Sequence, residues 1–186
     1  QWTAGRFDGG AQLTGADAIA VDGAGTNQTG NLTIEAWVRL DEFSDTWSSV
    51  FYKGNGDSGH RSYSLWVNNS GSLYLGTRDA SGEQGAQTAN GVMQLGVWTH
   101  VAAVIDRSTG QLRIVVNGEE RATGAVRAGP AVTSAEPLLI GRNTETSSSY
   151  DFLRGMVDEV RLWNVARSTA DIAATRRGIP ANFHVV

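Results

Sequence analysis

The stretch Gly155-Met156-Val157-Asp158-Glu159-Val160-Arg161-Leu162-Trp163-Asn164 constrains the fold more than any other part of this chain. Its residues alternate with period two, the spacing of a β-strand that buries one face. Met156, Val160 and Leu162 fall on one side, and Val157, Glu159, Arg161 and Trp163 on the other. Asp158 lands in the first, apolar row. A buried carboxylate without a partner is costly, so this strand must offer it a cation, a set of N–H donors, or a strand end open to water.

Other segments repeat the alternation. Leu32–Leu40 puts Leu32, Ile34, Ala36, Val38 and Leu40 on one face and Glu35, Trp37 and Arg39 on the other. A tryptophan on that outer face implies that it too is partly covered. Ser62–Asn68 turns through Asn69-Ser70-Gly71 into Ser72–Arg78. Tyr63, Leu65 and Val67 then share a face with Leu73, Leu75 and Thr77, while Ser64, Trp66 and Asn68 lie beside Tyr74, Gly76 and Arg78 on the reverse. Val97–Asp106 pairs with Gln111–Asn117, and Asn117-Gly118 is a two-residue hairpin signal leading into Glu119–Thr123. Shorter strands are expected at Phe7-Asp8-Gly9, around Ile19 and Val21, at Val50–Lys53 and at Leu138–Gly141, and Asp79–Gly91 is expected to be a long polar stretch. Ser168-Thr169-Ala170-Asp171 resembles an N-cap with an acidic third position, which predicts a short helix over Thr169–Arg177. About eleven to thirteen strands and one short helix predict an all-β sandwich or barrel. The 23 glycines against 3 prolines agree with a turn-rich chain of that class.

A chain of 186 residues is long enough for one domain with a sizeable core, here expected to span 1–186. With a net charge of −4 and a pI near 5.3 it has no basic footprint for nucleic acid or an anionic membrane. No apolar run reaches the roughly 20 residues of a membrane-spanning helix. The absence of cysteine excludes disulfides, thiolate metal sites and cysteine nucleophiles. The start at Gln1 suits a mature product or a domain of something larger.

Several segments together resemble a known family: Phe7-Asp8-Gly9, Leu32-Thr33-Ile34-Glu35-Ala36-Trp37-Val38, Tyr63-Ser64-Leu65, Trp98-Thr99-His100-Val101-Ala102, Val116-Asn117-Gly118, Leu139-Ile140-Gly141, and Gly155 through Trp163. Their order and spacing are similar to those of the laminin-G-like domains of the concanavalin A-like lectin/glucanase superfamily. The resemblance covers nearly the whole chain and implies a jelly-roll sandwich of two curved antiparallel sheets. Such domains are commonly modules of secreted or surface multidomain proteins. That superfamily includes lectins, glycan-binding modules, adhesion domains and glycosidases, so the fold leaves function open.

The resemblance also implies a structural calcium beside the first and last strands, with Asp158 as one ligand and the Phe7-Asp8-Gly9 segment, Asp8 included, supplying others. Calcium takes about six to eight oxygens and would neutralise Asp158. The alternative is that Asp158 caps a turn or pairs with Arg6 or Arg161. For carbohydrate, aromatic faces and planar polar groups are the relevant chemistry. The outward set Trp66, Tyr74 and Arg78 has that character, and neighbouring loops add Trp47, Asn55, Asp57, His60 and Arg61. Against it, Trp66 and Tyr74 could be cross-strand partners beneath a long loop. Asn55 and Asp57 are also spaced like ligands of a second calcium, although a solvated glycine-rich loop explains them as well.

Catalytic patterns are missing. No Glu-x-Asp-x-x-Glu run is present, Glu35 stands alone in sequence, and no Gly-x-Ser-x-Gly elbow occurs. His60, His100 and His184 have no triad-like neighbours in sequence. The expectation is a non-catalytic, lectin-like carbohydrate-binding module of an extracellular, bacterial, secreted or cell-surface protein. Its partners would be a polysaccharide or glycan and other domains of the same chain. An adhesion or spacer module is the alternative, and a glycosidase or lyase the least favoured.

Overall fold

The computed structural model describes residues 1–44, 46–56, 60–145 and 150–177. Its strands are β1 (Trp2–Ala4), β2 (Gly9–Thr14), β3 (Ile19–Val21), β4 (Leu32–Leu40), β5 (Trp47–Lys53), β6 (Tyr63–Asn68), β7 (Leu73–Asp79), β8 (Gly82–Gln87), β9 (Thr99–Asp106), β10 (Gln111–Val116), β11 (Glu119–Ala125), β12 (Leu138–Ile140), β13 (Tyr150–Asp151) and β14 (Arg154–Trp163). One helix, α1 (Thr169–Thr175), follows. The first sheet runs β1-β2-β14-β4-β9-β10-β11, and the second runs β3-β12-β5-β6-β7-β8 with β13 beside β5. Within each ordered path every pairing is antiparallel, and β13 pairs with β5 in parallel. This is the two-sheet sandwich that the alternation and the resemblance imply.

The core lies between the sheets. Ile34, Ala36 and Val38 of β4, Val101, Ala103 and Ile105 of β9, and Leu112 and Ile114 of β10 face Phe51, Leu65, Val67, Leu73 and Leu75 of the second sheet. The predicted hairpin register holds: Leu65 stands opposite Leu75 and Trp66 opposite Tyr74. Asn117 and Gly118 both take positive φ, 54° and 87°, as a two-residue hairpin between right-twisted strands requires. Ser168 caps α1 by accepting the Asp171 N–H at 3.1 Å.

Besides Phe7-Asp8, which forms the bend between β1 and β2 rather than a strand, two elements depart from the sequence expectation. Gly82–Gln87, in the polar stretch where no strand is expected, is the edge strand β8, paired with β7 from Tyr74↔Gln87 to Asp79↔Gly82. It has no β-branched or aromatic residue, so its strand character comes from pairing rather than propensity. The second departure concerns β14. Its register against β4 shifts between Asp158 and Arg161, so Glu159 and Val160 together stand opposite Ala36, and Glu159 adopts φ 52°. The bulge reverses the faces beyond it. Val157, Val160 and Leu162 therefore all pack on the core, while Asp158 shares the outer face with its partner Trp37. Asp158 is thus not in the apolar row where unbroken alternation puts it.

That outer face of the first sheet is covered, as Trp37 predicts. Ile172 of α1 packs on Ala102, Val104 and Val115, and the Trp37 indole N–H donates to the Arg176 carbonyl at 2.7 Å. Beneath this cover Glu35 is fully buried and accepts from Trp163 Nε1 and Arg167 Nη1, each at 2.9 Å, with Arg161 Nη1 at 3.9 Å. His100 Nε2 lies 3.6 Å from Glu35 Oε2. Burial first, and then the charges of Arg161, Arg176 and Arg167, push His100 down to about 4. It is therefore neutral at pH 7, and its contact with Glu35 is not an ion pair.

Candidate functional site

The candidate glycan face is the outer side of the second sheet. There the cross-strand row Ser49, Trp66, Tyr74, Gln87 runs beside the row Tyr52, Ser64, Gly76, Gly85. Tyr74 is half-buried, and its ring lies over the paired glycines. A Cβ on Gly85 would come within 2.3 Å of the Tyr74 hydroxyl and 2.6 Å of its ring, and one on Gly76 within 3.1 Å of the opposite ring edge. Any larger residue at 85 would have to lift the ring. The half-buried Trp47 meets Tyr74 edge-on, with centroids 5.9 Å apart and planes at 64°. Tyr74 is thus a floor and Trp47 a wall.

Charge surrounds this corner. The Tyr74 hydroxyl donates to Glu83 Oε1 at 3.0 Å, and Arg61 Nη1 donates to the same oxygen at 2.7 Å. Arg61 also grips Glu145 through Nε and Nη2 at 2.7 to 2.9 Å, with its guanidinium over the Trp66 ring at 5.3 Å.

The structure therefore divides the predicted patch. Trp47 and Tyr74 come together as expected. Trp66 lies on the predicted face but is only 1% exposed, packed with Tyr52 and Leu139 and donating its indole N–H to Ser64 Oγ at 2.7 Å. It supports the face and offers no stacking surface. Arg61 is likewise buried, its fork committed to carboxylates. Arg78 is half-buried opposite Glu83. Asn55 and His60 are exposed near the other end of β5, about 20 Å of strand from Trp47 at the usual rise per residue. Asp57 and His184 lie outside the described residues. Sequence reasoning passed over Glu83 and Glu145; the alternation Glu83, Gly85, Gln87 was the available signal for the first.

For calcium, the donors at Asp158 can be tested directly. Asp158 Oδ2 accepts the Phe7 N–H at 2.8 Å and Oδ1 accepts the Glu159 N–H at 2.7 Å, so the Phe7 backbone reaches this carboxylate as a donor. A Cβ on Gly5 would come 2.5 Å from Oδ2, so the carboxylate is tightly enclosed on that side. Asp8 is exposed at a turn with φ 47°. Among the described residues no group of three or more His, Cys, Asp or Glu is placed to hold a metal. N–H donors are the partners that both Asp158 oxygens have among the described residues. If these N–H groups alone satisfy Asp158, the melting midpoint is expected to be the same in calcium and in EDTA. A rise with calcium, which a cation binding only the folded state must cause, would contradict this assignment.

Glu35 and His100, 3.6 Å apart, are both buried, at 0% and 1% exposure. No helix among the described residues is long and apolar enough to cross a membrane.

The profile described as the concanavalin A-like lectin/glucanases superfamily matches residues 13–173. No curated protein matches the chain. Among solved structures, domain 4 of AbnA, a GH43 extracellular arabinanase from Geobacillus stearothermophilus in complex with arabinotriose, is similar with TM-score 0.70 and 22% identity over 93% of this chain and 79% of that one. The CBM40 of Ruminococcus gnavus IT-sialidase bound to α2,3 sialyllactose is similar with TM-score 0.70 and 16% identity, over 89% and 95% of the two chains. The binding domain of Paraclostridial Mosquitocidal Protein 1 reaches TM-score 0.75 at 11% identity, over 94% of this chain and 44% of that one. At these identities the likeness is one of fold.

Proposed function

We propose that this chain, which belongs to the concanavalin A-like lectin/glucanase superfamily, is a non-catalytic carbohydrate-binding module of a secreted or cell-surface bacterial protein. The observation that carries the reading is the Tyr74–Trp47 corner. The half-buried Tyr74 ring laid over Gly76 and Gly85, with Trp47 edge-on beside it, gives this face two aromatic rings on which the C–H patch of a sugar can stack. Gln87 and Glu83 flank the ring with groups suited to hydroxyls. Two solved domains of similar fold hold arabinotriose and sialyllactose, which is consistent with this use of the sandwich. One shallow corner gives weak binding, and linkage to further modules would multiply it.

A glycan array is the test. Binding to a subset of glycans is expected, reduced by about tenfold or more in Tyr74→Ala, or roughly 1.4 kcal/mol. A folded protein that binds no glycan would overturn the proposal and leave an adhesion or spacer module.

A further inference from the structure

The charges around Tyr74 say which sugars the corner can take. Resting on the carbohydrate reading above, we infer that it selects neutral sugars, with a ring hydroxyl donating to Glu83, and rejects sugars bearing a carboxylate, sulfate or phosphate. Recognition of an anionic sugar needs a cation that can reach it, preferably a guanidinium fork. The arginine at the centre of this face cannot serve. The Arg61 side chain is 4% exposed and donates to both oxygens of Glu145 and to Glu83. It is also stacked on Trp66.

The group that does meet an incoming ligand is acidic. Glu83 is 27% exposed, and Tyr74 donates to it, so its carboxylate borders the stacking floor. Arg61, Glu83 and Glu145 together carry one net negative charge. Arg78 is a second arginine on this face, directly opposite Glu83 across the β7–β8 pair. Glu83 leans away from it: its Oε1 lies 3.1 Å from where a Cβ on Gly76 would stand, on the Tyr74 side. The Cα of Arg78 is four residues along β7 from that of Tyr74, about 13 Å at the strand rise, whereas Glu83 is a charge in direct hydrogen-bond contact with the floor. A sugar hydroxyl can donate to an ionised carboxylate, whereas an anionic substituent there would meet like charge.

The experiment uses matched neutral and acidic glycans: lactose against α2,3 sialyllactose, unsubstituted xylan against glucuronoxylan, and galactan against polygalacturonate. At low salt the neutral member of a bound pair is expected to be favoured by about tenfold or more. The preference should shrink in 0.5 M sodium chloride, where the screening length falls to roughly 4 Å. It should shrink again in Glu83→Gln, which removes the charge and keeps the shape. Equal or tighter binding of the acidic members would overturn this inference while leaving the carbohydrate reading intact. No binding to either class would overturn both.

Discussion

Replacing Glu35 with alanine is expected to lower the stability of the fold by about 3–5 kcal/mol, the usual cost of removing one partner from a buried ion pair. Glu35 is 0% exposed and neutralises Arg167 directly and Arg161 at longer range. Without it Arg167, 9% exposed, would lose its carboxylate partner, and Arg161, 12% exposed, would be left with Glu159, beside a third guanidinium, Arg176, and a neutral histidine. The Trp163 indole N–H would lose its acceptor as well. Because α1 and the Arg176 carbonyl close this face, the damage should reach the C-terminal segment first. Urea denaturation gives the free energy, and for a chain of this length the melting temperature should fall by on the order of 10 °C. Glu35→Gln keeps an acceptor for Trp163 and should cost less. A loss below about 1 kcal/mol in the alanine variant would show that the arginines find other partners or water.

Trp66→Ala is the second large effect, again on stability, at about 3–5 kcal/mol for a large aromatic truncated in a packed site. Trp66 fills the space between Tyr52, at 5.8 Å between centroids, and the Arg61 guanidinium. Removing it opens a cavity beneath the Arg61–Glu83–Glu145 network and leaves Ser64 Oγ without the indole donor. An unchanged denaturation midpoint would mean that Trp66 is not packed as described.

The two tryptophans on outer faces show what the sequence could and could not tell. Period-two alternation placed Trp37 and Trp66 outward correctly, and the Trp66↔Tyr74 pairing followed from the hairpin turn. Alternation does not identify a covering layer, so it could not show that Arg6, Phe7 and the Arg176 carbonyl close over Trp37 or that Trp66 is sealed within its own face. It also fails at a bulge: one extra residue at Glu159–Val160 moved Asp158 from the core row to the outer face. β8 escaped because Gly82-Glu83-Gln84-Gly85-Ala86-Gln87 has turn-like composition and becomes a strand through its partner β7. Its glycine at 85 then proved to be the seat of Tyr74. Glu145 and Arg61 are 84 residues apart, and nothing local in the sequence pairs them.

We propose that a glycan stacks on Tyr74 in the corner made with Trp47. This is tested most directly by calorimetric titration of one array-identified glycan into the wild type, Tyr74→Phe and Tyr74→Ala, each first shown to melt cooperatively. Stacking on the ring predicts that phenylalanine retains most of the affinity while alanine loses about tenfold or more. A Tyr74→Ala protein that binds as tightly as the wild type would contradict the claim.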